Sequence, residues 1–240
     1  MKKSLVVITG ASSGIGAAIA KRFSEAGYSL LLLARRLERL EALKLPNTIY
    51  SKVDVTDKEA FRLAIAEAEK KYGATEGLVN NAGVMLLGDV ASQDADEWRR
   101  MFDVNVLALL NGMQAVLEPM KSRNSGTIIN ISSIAGRKTF SSHAAYCGTK
   151  FAVHAMSENV REEVADSGVR VITIAPGAVE TELLSHTTSA EIKDGYGDWK
   201  DSMGGAIVPD DIARSVLFAF EQPQNVCIRE VVIAATRQQS

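Results

Sequence analysis

Leu5-Val6-Val7-Ile8-Thr9-Gly10-Ala11-Ser12-Ser13-Gly14-Ile15-Gly16 opens the chain with a short apolar, β-branched run that breaks at once into glycines. Ile15, Ala18, Ile19 and Phe23 follow at helical spacing, so the order is strand, glycine-rich turn, helix. That order builds an anion site. Glycines let the backbone approach a pyrophosphate, and the helix N-terminus offers unpaired N–H groups and the positive end of a dipole. The spacing is G-x3-G-x-G, a variant of the dinucleotide fingerprint G-x-G-x-x-G. The competing reading is a tight turn that holds no ligand. Gly10, Ser12, Ser13, Gly14, Ile15 and Gly16 are the candidate phosphate residues.

A second apolar strand, Ser29 to Leu33, runs into Ala34-Arg35-Arg36. This is ~20 residues past the glycines, where an NAD-binding unit places a carboxylate for the ribose 2′-hydroxyl. Here there is none, and two guanidiniums follow. A planar cation with several donors suits a 2′-phosphate instead. The expected cofactor is therefore NADP(H), with Arg35 the main contact and Arg36 its neighbour; the alternative is a pair of solvated charges heading a helix from Leu37 to Leu43. A third strand, Asn47 to Val55, carries Asp54 and Val55 at its C-terminal end, and a fourth runs from Gly77 into Asn80-Asn81-Ala82-Gly83.

Further on, the spacing predicts a long helix from Met101 to Met120, a strand over Thr127 to Ile131, a helix through Val164, a sixth strand over Val169 to Ile174, a helix over Asp211 to Phe220 and a last strand from Glu230. Strands alternating with helices, the strands apolar on both faces, imply an α/β doubly wound parallel sheet of about seven strands with helices on both faces. No repeat, low-complexity segment or linker interrupts it, and residues 1–240 are expected to form a single domain.

Composition sets the outer limits. Of 240 residues 46% are hydrophobic and 23% charged, with 27 basic against 29 acidic and a net charge of −2. That balance gives no nucleic-acid footprint and no electrostatic grip on a membrane. The apolar run after Met1-Lys2-Lys3 is too short for a signal peptide, and no stretch reaches the ~18 apolar residues of a membrane helix. Two cysteines, Cys147 and Cys227, make no disulfide framework, so a cytoplasmic location is expected.

The chemistry is expected between Ser132 and Lys150. Tyr146-x-x-x-Lys150 opens a helical pattern, so the phenol and the ammonium emerge on one face, one turn apart. A nearby cation favours phenolate and brings a tyrosine toward use as an acid or base. A second copy of the motif, Tyr196 to Lys200, is read as loop and surface. Ser133 precedes Tyr146 at the end of a β-rich run, and Asn105 interrupts an apolar helix face upstream. The same offsets from Tyr196 fall on Leu183 and Ala155, which have no proton chemistry. His143, His154 and His186 show no metal-ligand spacing and are read as structural or surface, with His143 and His186 flanking the pocket in sequence. Arg137 and Lys138 are read as solvated charges or anion contacts. The long connection from Ala178 to Ile207, with four glycines, reads as a hinged substrate lid. Met85, Leu86, Leu87, Trp199 and Met203 are expected to make its pocket apolar.

With these residues assembled, the chain resembles a short-chain dehydrogenase/reductase over essentially its whole length, in the NADP(H)-preferring, single-domain branch. The runs Asn81 to Gly88 and Ser132 to Arg137 are similar to bacterial clavulanic acid dehydrogenase-like reductases. The resemblance implies hydride transfer between NADP(H) and a small aldehyde, ketone or alcohol. It assigns the cofactor's phosphates to the Gly10–Gly16 turn, the 2′-phosphate to Arg35, the adenine border to Asp54 and Val55, and the cofactor channel to Asn81, Ala82 and Gly83. Pro176, Gly177, Val179 and Thr181 take the nicotinamide end. Ser133 holds the substrate oxygen, Tyr146 is the acid/base, Lys150 binds the nicotinamide ribose, and Asn105 retains a water linking Lys150 to solvent. The helices at 101–120 and 146–166 pair between subunits in related reductases, which implies a homotetramer or dimer. A 3-oxoacyl-carrier-protein reductase would favour a basic surface that the net charge does not suggest. A non-catalytic NADP(H) sensor or scaffold can lose the tyrosine or lysine, and this chain keeps both.

Overall fold

Apolar residues alternate sides along each strand, and the two sides bury against different helices. The computed structural model describes residues 3–239, so the Met1-Lys2 start lies outside the described residues. Strands β1 (Lys3–Thr9), β2 (Tyr28–Ala34), β3 (Thr48–Lys52), β4 (Thr75–Asn80), β5 (Gly126–Ile131), β6 (Val169–Pro176) and β7 (Glu230–Ile233) form one sheet in the order β3-β2-β1-β4-β5-β6-β7. Every neighbouring pair is parallel. The helices are α1 (Gly14–Glu25), α2 (Leu37–Glu41), α3 (Lys58–Tyr72), α4 (Ala95–Phe102), α5 (Ala108–Ser122), α6 (Ala144–Glu163), α7 (Ala190–Ser202) and α8 (Pro209–Phe220).

Leu5, Val7, Leu31, Leu33, Leu78 and Ile128 face a core shared with α3, α5 and α6. Val6, Ile8, Leu30, Leu32, Val79 and Ile129 face the opposite core, with α1 and α8. There Phe23, Tyr28 and Phe220 pack as tilted and edge-on rings, 5.1 to 5.4 Å between centroids, each pair adding about 0.5–1.5 kcal/mol beyond area burial. Successive strands step one way from β1 to β3 and the other way from β4 to β7. The reversal lies between β1 and β4, and the strands' C-terminal ends open there into a crevice, the ligand position of such sheets.

Around the crevice, elements depart from the sequence reading. The third strand stops at Lys52, so Asp54 and Val55 lie on the loop beyond it. The predicted helix after Arg36 ends at Glu41 rather than Leu43. The predicted helix over 101–120 is α4 and α5 joined through a π-helical turn, Asp103–Leu107, with Asn105 inside it. Such turns insert a residue without breaking the helix and cluster at functional sites.

The crevice depends on a close crossing of backbones. A Cβ on Gly16 would stand 2.5 Å from Asn81 Nδ2 and closer still to the Gly10 carbonyl oxygen. Asn81 Nδ2 donates to the carbonyls of Thr9 (2.9 Å) and Gly10 (3.2 Å), tying the turn after β4 to the turn after β1. Gly16→Ala is therefore expected to lower stability by roughly 1–3 kcal/mol, as overpacking does. Urea unfolding of the variant against the parent checks this, and an unchanged midpoint would show that the crossing yields without cost.

Candidate active site

A cavity of 910 Å³ fills the crevice. Every site residue expected from the sequence lines it except Gly16 and Asn105, which sit behind its wall. Residues as distant in sequence as Gly10, Arg35, Asn81, Ser133, Tyr146 and Thr181 are thus brought to one place by the parallel topology.

One end has the features of a dinucleotide site. Ser13 is the N-cap of α1 but makes no side-chain cap, so the first-turn N–H groups face the cavity without that partner. Their positive dipole end and the absence of side chains at Gly14 and Gly16 suit a pyrophosphate. Arg36 donates to Ser12 Oγ (3.2 Å), Ser13 Oγ (2.9 Å) and Glu182 Oε2 (3.0 Å). Arg39 also pairs with Glu182, at 2.7 Å. Arg35 lies exposed on the same wall and makes no side-chain hydrogen bond among the described residues. Burial would raise the Asp54 carboxyl, but bonds from the Thr56 N–H and hydroxyl, with Arg35 nearby, hold it below its ordinary value.

At the other end, Ser133 caps the 3₁₀ turn Ile134–Gly136, its Oγ accepting from Ala135 N at 3.0 Å. Tyr146 and Lys150 lie in the first turns of α6, both buried. Lys150 Nζ donates to the Ile131 carbonyl (3.1 Å) and stands 5.8 Å from the Tyr146 ring centroid. Burial pushes the Lys150 ammonium down to about 8. The expectation that Lys150 draws the phenol toward neutrality meets an opposing force. Burial pushes the Tyr146 phenol up, and a hydrogen bond with Ser133 only partly offsets it, so the proton is held. The Asn105 side chain is engaged within the protein. Its Oδ1 accepts from Val84 N (2.8 Å), and its Nδ2 donates to Val84 O (2.9 Å) and Thr149 Oγ1 (3.2 Å). Any water chain would have to use its main-chain carbonyl.

The segment from Ala178 to Ile207 leaves and returns at one point, through a bridge between Val179 and Ile207. It carries a 3₁₀ turn, Glu182–His186, and α7, an element the sequence reading left as loop. Gly195 and Gly197 fall inside α7; Gly204 and Gly205, at positive φ, end it. Tyr196 therefore needs correcting. It is no surface residue but lines the cavity, its ring edge-on to Trp199 at 5.1 Å between centroids, close enough to Tyr146 that its charge would raise that phenol further. Lys200 bonds Glu180 at 3.0 Å. Leu86, Leu87 and Met203 are corrected the other way, being buried in the core rather than lining the cavity. Leu183, Leu184, Ile192 and Phe140 take their place. The signal of Ile192 in sequence was weak, because α7 has a largely polar composition and no buried residue of its own.

His143 and His186 both line the cavity, and burial lowers the pKa of each. Arg137 pairs with Glu230 (2.6 Å) and Lys138 sits over Phe140, so neither lines the cavity. Among the described residues no cluster of His, Cys, Asp and Glu gathers as a metal site, and no helix is long and apolar enough to cross a membrane.

The Lys150 shift makes stability depend on pH. A lysine whose folded pKa is about 8 against an ordinary 10.5 disfavours folding while charged, fully below pH 8 and not at all above 10.5. Lys150→Met is thus expected to raise the midpoint of thermal unfolding at pH 7, by a free energy on the order of 3 kcal/mol. The gain should shrink as pH climbs from 8 to 10.5, and a gain independent of pH would place the cost elsewhere.

The profile of the short chain dehydrogenase family matches residues 4–192. An uncharacterised oxidoreductase of Staphylococcus saprophyticus is 39% identical over 99% of this chain and 98% of its own length. The closed form of a serine dehydrogenase complexed with NADP+ superposes with a TM-score of 0.92, at 30% identity, over 98% of this chain and 96% of that one. An alcohol dehydrogenase from the archaeon Thermococcus sibiricus, complexed with 5-hydroxy-NADP, gives 0.85 at 26% identity over 99% and 98%. With the family profile matching most of its length and these relatives covering nearly all of it, this chain belongs to the short-chain dehydrogenase family and is an oxidoreductase.

Proposed function

We propose that the protein reduces a small aldehyde or ketone with NADPH, reversibly, at Ser133, Tyr146 and Lys150. The observation that carries this reading is the convergence of those side chains on one end of a cavity whose other end holds the glycine turn, Arg35 and Arg36. The NADP complexes of the serine dehydrogenase and the archaeal alcohol dehydrogenase support the choice of cofactor. The α1 N-terminus would hold the pyrophosphate, Arg35 the 2′-phosphate, Asp54 and Val55 the adenine border, and Pro176, Gly177, Val179 and Thr181 the nicotinamide end.

When bound, NADPH supplies the hydride. The chain's own residues handle the oxygen. Ser133 donates a hydrogen bond to the substrate carbonyl, and Tyr146 gives up its proton as negative charge grows there. Lys150 stabilises the phenolate that results, and Asn105, through its main-chain carbonyl, would hold the water that returns a proton. Val84, Met85, Leu184, Ile192 and Trp199 make the substrate end largely apolar and keep bulk water out. Residues 178–207 act as the lid of a single catalytic domain. Phe102, Leu107, Leu110 and Phe151 are exposed on α4, the π turn, α5 and α6, and Phe102 packs near Gly148, which supports self-association into a dimer or tetramer through this face. Two free cysteines fit a cytoplasmic home.

Tyr146→Phe is expected to slow NADPH oxidation on a panel of aldehydes and ketones by at least ~10²-fold, with NADPH still binding; turnover near the parent's would overturn the assignment. Ala34→Asp with Arg35→Ala is expected to shift the kcat/KM ratio from NADPH toward NADH. If that ratio does not move, Arg35 does not read the 2′-phosphate.

A further inference from the structure

The catalytic elements are joined behind the cavity wall by a polar cluster that the mechanism above does not use. His154 lies one helical turn past Lys150 on α6 and does not line the cavity. Its Nδ1 is 2.9 Å from Ser132 Oγ and 3.0 Å from the Lys150 carbonyl oxygen. Ser132 Oγ itself donates to that carbonyl at 3.2 Å. On its far side, His154 Nε2 is 3.0 Å from Glu230 Oε1, on β7. The second oxygen of Glu230 accepts from Arg137 Nη1 at 2.6 Å, and Arg137 ends the 3₁₀ turn that Ser133 begins.

The cluster is therefore a closed ring: the end of β5 at Ser132, the Lys150 turn of α6, His154, Glu230 of β7, Arg137, and back through the turn to Ser133. Protonation states are consistent around it. Burial would raise the Glu230 carboxyl, but Arg137 and His154 hold it below its ordinary value, so it is an anion and fixes the His154 Nε2 as N–H. In the neutral ring Nδ1 accepts the Ser132 hydroxyl proton, which then turns away from the Lys150 carbonyl; in the imidazolium Nδ1 donates to the Lys150 carbonyl and Ser132 keeps its own bond to it. Either state keeps the bond to one catalytic element. The turn is shaped to admit the imidazole, since a Cβ on Gly136 would stand 2.6 Å from the Lys150 carbonyl oxygen and closer still to His154 Nδ1.

We propose that His154 is a positioning residue, setting the distance between the Ser133 turn and the Tyr146–Lys150 helix through Ser132 and the Lys150 carbonyl. The inference rests on the reaction assigned above. A small misplacement of groups that must meet one oxygen is costly to rate even when binding is intact. The Nδ1 side of the ring carries this function, and the Glu230 side orients the ring, as an outer carboxylate orients a working histidine.

Three substitutions in the full chain separate these contacts: His154→Ala, His154→Asn, whose amide takes the place of Nδ1, and His154→Gln, whose amide reaches toward Glu230. The readouts are kcat and KM with NADPH and a carbonyl substrate, NADPH affinity by fluorescence, and the thermal midpoint, with Tyr146→Phe alongside. His154→Ala should lower kcat by roughly 10- to 100-fold with NADPH affinity almost unchanged. His154→Asn should restore most of kcat and His154→Gln little, even where both restore the thermal midpoint. Parental kcat in His154→Ala while Tyr146→Phe is inactive would overturn the inference and leave the reaction standing. Equal rescue by Asn and Gln, tracking the thermal midpoint, would reduce His154 to a structural role and also overturn it. A Tyr146→Phe variant as active as the parent would bring down the reaction reading and this one with it.

Discussion

A lysine ammonium enclosed in the protein with a main-chain carbonyl as its hydrogen-bond partner is the costly feature around which the molecule is arranged. Lys150 is 7% exposed and donates to Ile131 at the end of β5. Isolated buried charge is among the most expensive groups a fold can carry, and burial already draws its pKa down to about 8. The expense is offset by the packing of α6 along its length: Val153 and Val160 lie in one core, and Tyr146 and Cys147 in another. The π turn contributes too. The Asn105 side chain spans from it to both Val84 and Thr149, which fixes the turn after β4 against α6.

Much of this was legible in the sequence, for a physical reason. The strands, the glycine turn and the tyrosine–lysine pair are local patterns, each written within one or two helical turns or a single strand. The parallel topology then follows from their alternation, and it gathers the expected residues without further information. What failed was non-local. The apolar run Val84 to Leu87 reads as uniform, yet Met85 reaches the cavity while Leu86 and Leu87 turn into the core. Tyr196 looked like an accidental motif copy because the offsets that lead from Tyr146 to Ser133 and Asn105 lead from Tyr196 to Leu183 and Ala155; its place on the cavity wall depends on α7 folding back toward Tyr146. Asn105 was found for its oddity in an apolar face, but the inserted residue that carries it has no sequence signature. The histidines divide similarly: His154 has no partner within its own pattern, and its significance lies in Ser132 and Glu230, brought up by other strands.

The segment over the cavity is held unevenly. Thr187 Oγ1 accepts from Leu87 N and donates to Met85 O, both at 3.2 Å, and Thr187 is buried at that anchor. Next to it Thr188 Oγ1 donates to Glu97 at 3.1 Å, and at the far side Glu182 pairs with Arg36 and Arg39, where all three side chains are 41 to 49% exposed. Exposed ion pairs of this kind contribute little to stability and weaken with salt. The segment is thus firm beside the turn after β4 and weakly fastened over the phosphate end. A phosphate placed near Arg36 would compete with Glu182 for the same guanidinium, so on the proposed reading the weak fastening lies where the cofactor's charge arrives.

The two buried titratable groups also bear on direction. A phenol held protonated by burial is a poor base, and it is an acid whose proton leaves only when something nearby makes the phenolate worthwhile. Negative charge growing on a substrate oxygen beside Ser133 creates that demand, and the proton moves as the charge forms. In the reverse direction, on the same reading, the phenolate must exist first, and the cation beside Tyr146 is Lys150, whose own charge burial weakens. On the proposed reading, the burial that costs the fold stability also keeps the phenol protonated for carbonyl reduction near neutrality, and alcohol oxidation would gain from the positively charged nicotinamide ring of the oxidised cofactor.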